Sequence, residues 1–242
     1  MFFSPFSTTD SYFIAYNSST GAVTFNRIPE LTAEFKILFE GTWASGWSHL
    51  MPCASGFIAY NSSSGEATFN RIRADGAGSD ILSKGKWAPN WSHLMPFQFG
   101  SSGSGYIAYN SSTGAVTVNS VRADGLGADF LFGGTWATGW SHFMPYQTVY
   151  DDDSLFDSFD TNRFIAYNST TGAATVNRIQ NGGAGFDILW KGAWDPGWSH
   201  FMPFRYGSSG SPVAYPFFVA YNSTTGKVNF CQLFDPFEFK LL

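Results

Sequence analysis

The chain has 242 residues, 19% of them aromatic and only 13% charged, with a formal net charge of −5. Apolar surface is ample for a core, and no basic stripe is available to neutralise phosphates, so nucleic acid is not an expected partner. No run of about 18 apolar residues occurs, which excludes a membrane-spanning helix from the expectations.

The first residues, Met-Phe-Phe-Ser-Pro-Phe, have neither a basic start nor a long apolar stretch. They do not read as a signal peptide, and a cytoplasmic or non-classically secreted protein is expected. The phrase Phe-Ile-Ala-Tyr-Asn follows at 13–17 and recurs, with small changes, at 57–61, 106–110, 164–168 and 218–222. Each copy runs into Asn-Ser-Ser/Thr-Ser/Thr-Gly and then an alternating stretch such as Ala-Val-Thr-Phe-Asn-Arg-Ile at 22–28. A second phrase, Trp-Ser-His-Leu/Phe-Met-Pro, stands at 47–52, 91–96, 140–145 and 198–203. Asn17 and His49 are 32 residues apart, and the same 32 separates Asn61 from His93, Asn110 from His142 and Asn168 from His200. From each His to the next Asn the gap is 12, 17, 26 and 22, so one connection carries all the length variation.

Each unit predicts four strands. Strand A is Ser-His-Leu-Met-Pro-Phe, strand B Phe-Ile-Ala-Tyr-Asn, strand C the alternating stretch, and strand D an Asp-Ile-Leu-type segment leading to Gly-x-Trp. Short alternating runs rich in β-branched and aromatic residues, bounded by Gly, Asn and Ser, are strand signals. Asn-Ser-Ser-Thr-Gly suits a tight B–C turn, with Gly at the positive-φ position. Glu238-Phe239-Lys240-Leu241-Leu242 copies Glu34-Phe35-Lys36-Ile37-Leu38, and Ser4-Pro5-Phe6 aligns with Met95-Pro96-Phe97. The count is therefore five A–B–C–D units. The predicted architecture is all-β, a five-bladed β-propeller of four-stranded antiparallel blades forming a single domain over 1–242. The blades fall roughly at 1–45, 46–89, 90–138, 139–196 and 197–242. The first and last blades are expected to meet and close the ring. A linear stack is the alternative, and it would leave two apolar end faces uncovered.

In such a blade the B–C turn and the D–A link share one face. The link carries Trp43, Trp47 and His49; Trp87, Trp91 and His93; Trp136, Trp140 and His142; and Trp194, Trp198 and His200. The turn carries Asn17, Asn61, Asn110, Asn168 and Asn222. A sugar needs an aromatic plate for its C–H face and a few fixed polar groups for its hydroxyls, and these residue types supply both. They are the candidate ligand-binding residues. The competing reading packs the tryptophans between blades and hydrogen-bonds each histidine between strands.

Four histidines on four blades reach one metal ion only by converging on the axis, and no metal or other cofactor is expected. The strand-D acids Glu34, Asp80, Asp129, Asp187 and Glu238 read as structural carboxylates, with Arg27, Arg71 and Arg178 as partners on strand C. Hydrolysis of a glycoside would need two carboxylates in unlike environments, which a repeated acid does not provide. The acidic run 151–160 reads as a solvated loop. The Asn-Ser-Ser/Thr sequences are formally glycosylation sites but read as turns. Cys53 and Cys231 lie in different repeats and read as free thiols.

The phrases Gly-Trp-Ser-His-x-Met-Pro and Ala-Tyr-Asn-Ser-Thr-Thr-Gly resemble the repeats of β-propeller lectins, in wording the Photorhabdus-type fucose-binding lectins and in blade number the tachylectin type. The resemblance implies a multivalent lectin, not an enzyme, that binds monosaccharide units such as fucose or N-acetylated sugars on glycoproteins or glycolipids. It implies pockets between or beside blades, with neither metal nor catalysis, and leaves homo-oligomerisation open. A protein-interaction scaffold and a propeller glycosidase are the other readings. Because the Trp link is missing between the last strand D and the first strand A, four pockets are expected, not five.

Overall fold

The computed structural model describes residues 2–3, 11–29, 35–53, 56–99, 103–148, 160–205, 216–233 and 239–241. They form five four-stranded antiparallel sheets, each in simple meander order. Blade 1 holds β1 (Phe2–Phe3), β2 (Ser11–Tyr16), β3 (Ala22–Ile28) and β4 (Lys36–Thr42). Blade 2 holds β5 (His49–Cys53), β6 (Gly56–Tyr60), β7 (Glu66–Ile72) and β8 (Ser79–Lys86). Blade 3 holds β9 (His93–Phe99), β10 (Gly103–Tyr109), β11 (Ala115–Val121) and β12 (Ala128–Thr135). Blade 4 holds β13 (His142–Thr148), β14 (Asp160–Tyr167), β15 (Ala173–Ile179) and β16 (Phe186–Ala193). Blade 5 holds β17 (His200–Arg205), β18 (Pro216–Tyr221), β19 (Val228–Leu233) and β20 (Phe239–Leu241). This is the predicted five-blade propeller, strand for strand. Helix is confined, among the described residues, to a 3-10 turn at Asn181–Gly183, and none there is long and apolar enough to cross a membrane.

The A strands β5, β9, β13 and β17 neighbour one another in succession, which places them innermost, around the axis. Strand D is outermost. It is kinked by a β-bulge in four blades, where Leu38, Leu82, Leu131 and Leu189 are skipped in the pairing with strand C. The bulge ends strict alternation and leaves Ile37, Ile81, Phe130 and Ile188 exposed on the rim.

Among the described residues the hydrophobic core forms four separate layers, one at each contact between successive blades. Ile14, Val23 and Phe25 of blade 1 pack on Phe57, Ala59 and Ile72 of blade 2. Met51, Ile58 and Phe69 pack on Tyr106, Ala108 and Val121. Tyr109, Val116 and Val118 pack on Phe164, Ala166 and Ile179, and Tyr167, Ala174 and Val176 on Phe218, Ala220 and Cys231. Strand period explains this: Phe57 and Ala59 face backward, while Ile58 and Tyr60 face forward. Every blade thus has a leading and a trailing apolar face.

The expected closure between blades 5 and 1 is not seen among the described residues. Met202, Tyr221, Val228 and Phe230, on the trailing face of blade 5, are all exposed. Ala15, on the leading face of blade 1, is exposed where its four counterparts are buried. Each of the four buried interfaces contains a Trp-bearing link, and no described link joins blade 5 to blade 1.

Cys53 and Cys231 are free thiols, as expected from their repeats. Burial pushes Cys53 up to about 12 and Cys231 to about 11, which suits inert packing groups.

Candidate functional site

The D–A link follows one plan in four copies. Its first Trp lies between the strand-B tyrosine of its own blade and an aromatic ring of the next. Trp87 is stacked at 5.5 Å from Tyr60 and 5.1 Å from Tyr106. Trp43 is 5.9 Å from Tyr16 and 5.3 Å from Phe57. Trp136 is 5.9 Å from Tyr109 and 5.7 Å from Phe164, and Trp194 is 5.6 Å from Tyr167 and 5.8 Å from Phe218. These rings are cement between blades, with their π faces engaged.

The second Trp is held through its backbone. The N–H groups of Trp47, Trp91, Trp140 and Trp198 donate to the hydroxyls of Tyr16, Tyr60, Tyr109 and Tyr167 at 3.3–3.4 Å. The same hydroxyls donate to the carbonyls of Ala44, Ala88, Ala137 and Asp195 at 2.7–2.8 Å. Each tyrosine therefore clamps the link between its two tryptophans. The sequence reading passed over it, although the signal was there: a Tyr precedes the turn Asn in all five units. Trp198 is buried, with the Lys227 ammonium 5.2 Å from its ring centre.

The turn asparagines are also engaged. Asn17 Oδ1 accepts from the backbone N–H of Ser19 and Thr20 at 3.0 and 3.1 Å. Asn61, Asn110, Asn168 and Asn222 repeat the pair of bonds. This side-chain turn satisfies backbone donors locally.

The histidines gather at the inner end of the link. Nε2 of His49, His93 and His142 lies 2.8–2.9 Å from the carbonyls of Ser92, Ser141 and Ser199 on the following blade. A carbonyl only accepts, so Nε2 carries the proton and the tautomer is fixed. Nδ1 then presents its lone pair to the preceding serine. The distances from Ser48, Ser92, Ser141 and Ser199 Oγ are 2.8–2.9 Å. Each hydroxyl is shared with a strand-B carbonyl at 3.0–3.1 Å and accepts a turn N–H at 2.9 Å. Burial lowers His93 and His142 below the ordinary histidine value, partly opposed by the bonds to the Ser141 and Ser199 carbonyls. His93 is lowered further by its neighbours His49 and His142, and His142 by His200. Three of the four histidines are thus bonded to the next blade around the axis, and no group of three or more potential ligands for a metal ion forms among the described residues.

The strand-D acids lie far out on the rim. Asp80 pairs with Arg73, two positions beyond the expected Arg71; Asp129 pairs with Arg122 in the blade where Ser120 stands at the arginine position; and Asp187 pairs with Arg178 as expected. Glu34, Glu238 and nearly all of 151–160 lie outside the described residues.

No family model matches the chain, and no curated protein matches it. Its fold is similar to that of a candidate 6-phosphogluconolactonase from Bacteroides fragilis, at TM-score 0.55 and 12% identity, covering 98% of this chain and 81% of the other. The periplasmic gluconolactonase PpgL of Pseudomonas aeruginosa gives TM-score 0.56 and 10% identity over 97% of this chain and 66% of the other. A candidate 6-phosphogluconolactonase from Bacteroides uniformis gives 0.55 and 12% over 96% and 80%. The chain spans about two thirds to four fifths of the length of these structures. The expectations of a lectin and of a non-enzymatic protein are corrected here. The likeness runs to propellers named as lactonases, and the tryptophans meant as sugar plates are stacked between blades. At these identities the likeness establishes the propeller fold.

Proposed function

We propose that the chain is a propeller hydrolase that opens a cyclic ester of a sugar acid at the inner end of its D–A links. The observation that carries the proposal is the Ser–His pair. In Ser92–His93 and Ser141–His142, a hydroxyl lies 2.8–2.9 Å from a ring nitrogen whose partner nitrogen is anchored to a carbonyl. Nucleophile, base and a third group that orients the base are the parts of an activated serine. The substrate class comes by analogy with the named lactonases, and the chemistry comes from the pair.

The four pairs are not equal. His93 and His142 are held neutral near pH 7 by burial, so their Nδ1 lone pairs are free to take a proton. Serine Oγ would bond to the lactone carbonyl carbon as its proton passes to Nδ1. The ring C–O bond then breaks, and the departing alkoxide takes that proton back. Water, deprotonated by the same nitrogen, releases the sugar acid and restores the serine.

The test is acid release from a panel of aldonolactones, read with a pH indicator against the buffer rate. A protein-dependent rate that falls at least tenfold in the Ser92→Ala/Ser141→Ala double variant is expected. Folded wild-type protein that adds nothing to the buffer rate would overturn the proposal. So would a double variant with the full rate, which would leave the pairs as staples between blades.

A further inference from the structure

The Ser–His pairs repeat one another, but the side chains that close over them do not. The residue after each strand-A histidine packs against the blade before it, and at this place stand Leu50, Leu94, Phe143 and Phe201. Phe143 meets the His93 ring edge to face at 5.3 Å, and Phe201 meets His142 in the same way at 5.4 Å. Each Phe is itself boxed in. Phe143 has Tyr109 at 5.0 Å, Trp136 at 5.9 Å and Phe164 at 6.2 Å, and Phe201 has Tyr167, Trp194 and Phe218 at 5.0–6.0 Å. Behind His49 the matching residue is Leu94, a smaller side chain in the layer between blades 2 and 3.

The other surroundings of His49, His93 and His142 match. Each has its strand-B tyrosine at 5.8–5.9 Å and the same two serine partners. Their titratable neighbours are of one kind. His93 faces His49 of the blade before, His142 of the blade after and Tyr109 of its own, and His142 faces His200 and Tyr167. The hydroxyls of Tyr109 and Tyr167 are committed to the link. What sets His93 and His142 apart is therefore the benzene ring. We propose that Phe143 and Phe201 are positioning residues that shut water away from the imidazole of the blade before them, and so select Ser92–His93 and Ser141–His142 as the pairs that carry a free base. A dry apolar cover disfavours the charged imidazolium. Burial is the main cause that lowers both histidines. Both ring nitrogens are engaged by serine groups, so the Phe ring acts as a cover and not as a partner for an N–H. The selection of pairs rests on the hydrolase reading; the state of the imidazoles does not.

Proton NMR titration of the whole chain tests it, with single His→Gln variants to assign the four histidines. Phe143→Leu should raise the midpoint of His93, and Phe201→Leu that of His142, by about 0.5 pH. Leucine already stands at this place in blades 2 and 3, so the strand accepts it. In the Phe143→Leu/Phe201→Leu double variant the acid limb of lactone hydrolysis should move up by the same interval, roughly a threefold lower rate at about pH 5.5. Midpoints that stay put in the folded variants would overturn the proposal and leave both rings as packing. Midpoints that fall would also overturn it, by showing that the rings stabilise the imidazolium through their π faces. Raised midpoints in a protein that hydrolyses no lactone would support the cover and overturn the hydrolase reading.

Discussion

The interface between blades 3 and 4 and the trailing face of blade 5 are written in similar residues, yet they differ in burial and in the bonds of their tyrosines. In blade 3, Tyr109 is fully buried, its hydroxyl donating to Ala137 O and accepting from Trp140 N–H. In blade 5, Tyr221 is exposed and makes neither bond among the described residues. The turn glycines diverge in the same way. A methyl on Gly114, at φ +75°, would run into the carbonyl of Trp136, whereas one on Gly226, at φ +73°, would meet nothing within 4 Å. The lesson is that the repeat encodes half an interface. The other half, a link and a leading face, decides whether those residues become core.

Paired substitutions turn that contrast into measurements. Gly114→Ala places a methyl into the Trp136 carbonyl as well as in the left-handed region, and should cost on the order of 3 kcal/mol or more. Gly226→Ala meets only the left-handed penalty, about 1 kcal/mol. Equal losses in chemical denaturation would show that the link does not press on the turn. Tyr109→Phe leaves a carbonyl and an N–H without their partner and should cost about 1–3 kcal/mol. Tyr221→Phe should stay within about 0.5 kcal/mol, as for other surface changes. A matching loss at Tyr221 would mean that its hydroxyl is engaged in solution.

Acid should act next, and only on the interior. His93 and His142 have lowered values in the folded protein, so the unfolded chain binds more protons below about 6.5, the ordinary histidine value. Stability is therefore full above that value and falls as pH drops through it. Replacing both histidines by Gln should flatten the pH dependence of the melting temperature between about 6.5 and 5. An unchanged slope would assign the acid sensitivity to other groups. The smallest effect is expected at the rim. Arg73→Ala removes an ion pair whose side chains are about half exposed, and the melting temperature should not move measurably.

Much of the fold was legible because its unit is short and repeated. Strand alternation, the positive-φ glycine after Asn-Ser-Ser/Thr and the constant Asn-to-His spacing each reflect local geometry that a sequence carries directly. They gave the strands, their order and the blade count. The site was less legible. Trp, His and Asn recur at the link and turn, and those residue types serve a ligand or a blade interface equally well. Trp87 looked available to a sugar because its neighbours in sequence are small and polar; its neighbours in space are Tyr60 and Tyr106. The tyrosine clamp was missed because one hydroxyl reaches across 28 and 31 residues.

What the sequence determined by itself is the blade, since pleat, turn and hairpin register depend on residues close together in the chain. What only the tertiary structure decided is which copies of that blade become interior. Phe25 is buried because Phe57, Ala59 and Ile72 of the next blade stand opposite it. The hydrophobic effect acts on surface removed from water, and that quantity belongs to a pair of faces and not to either one.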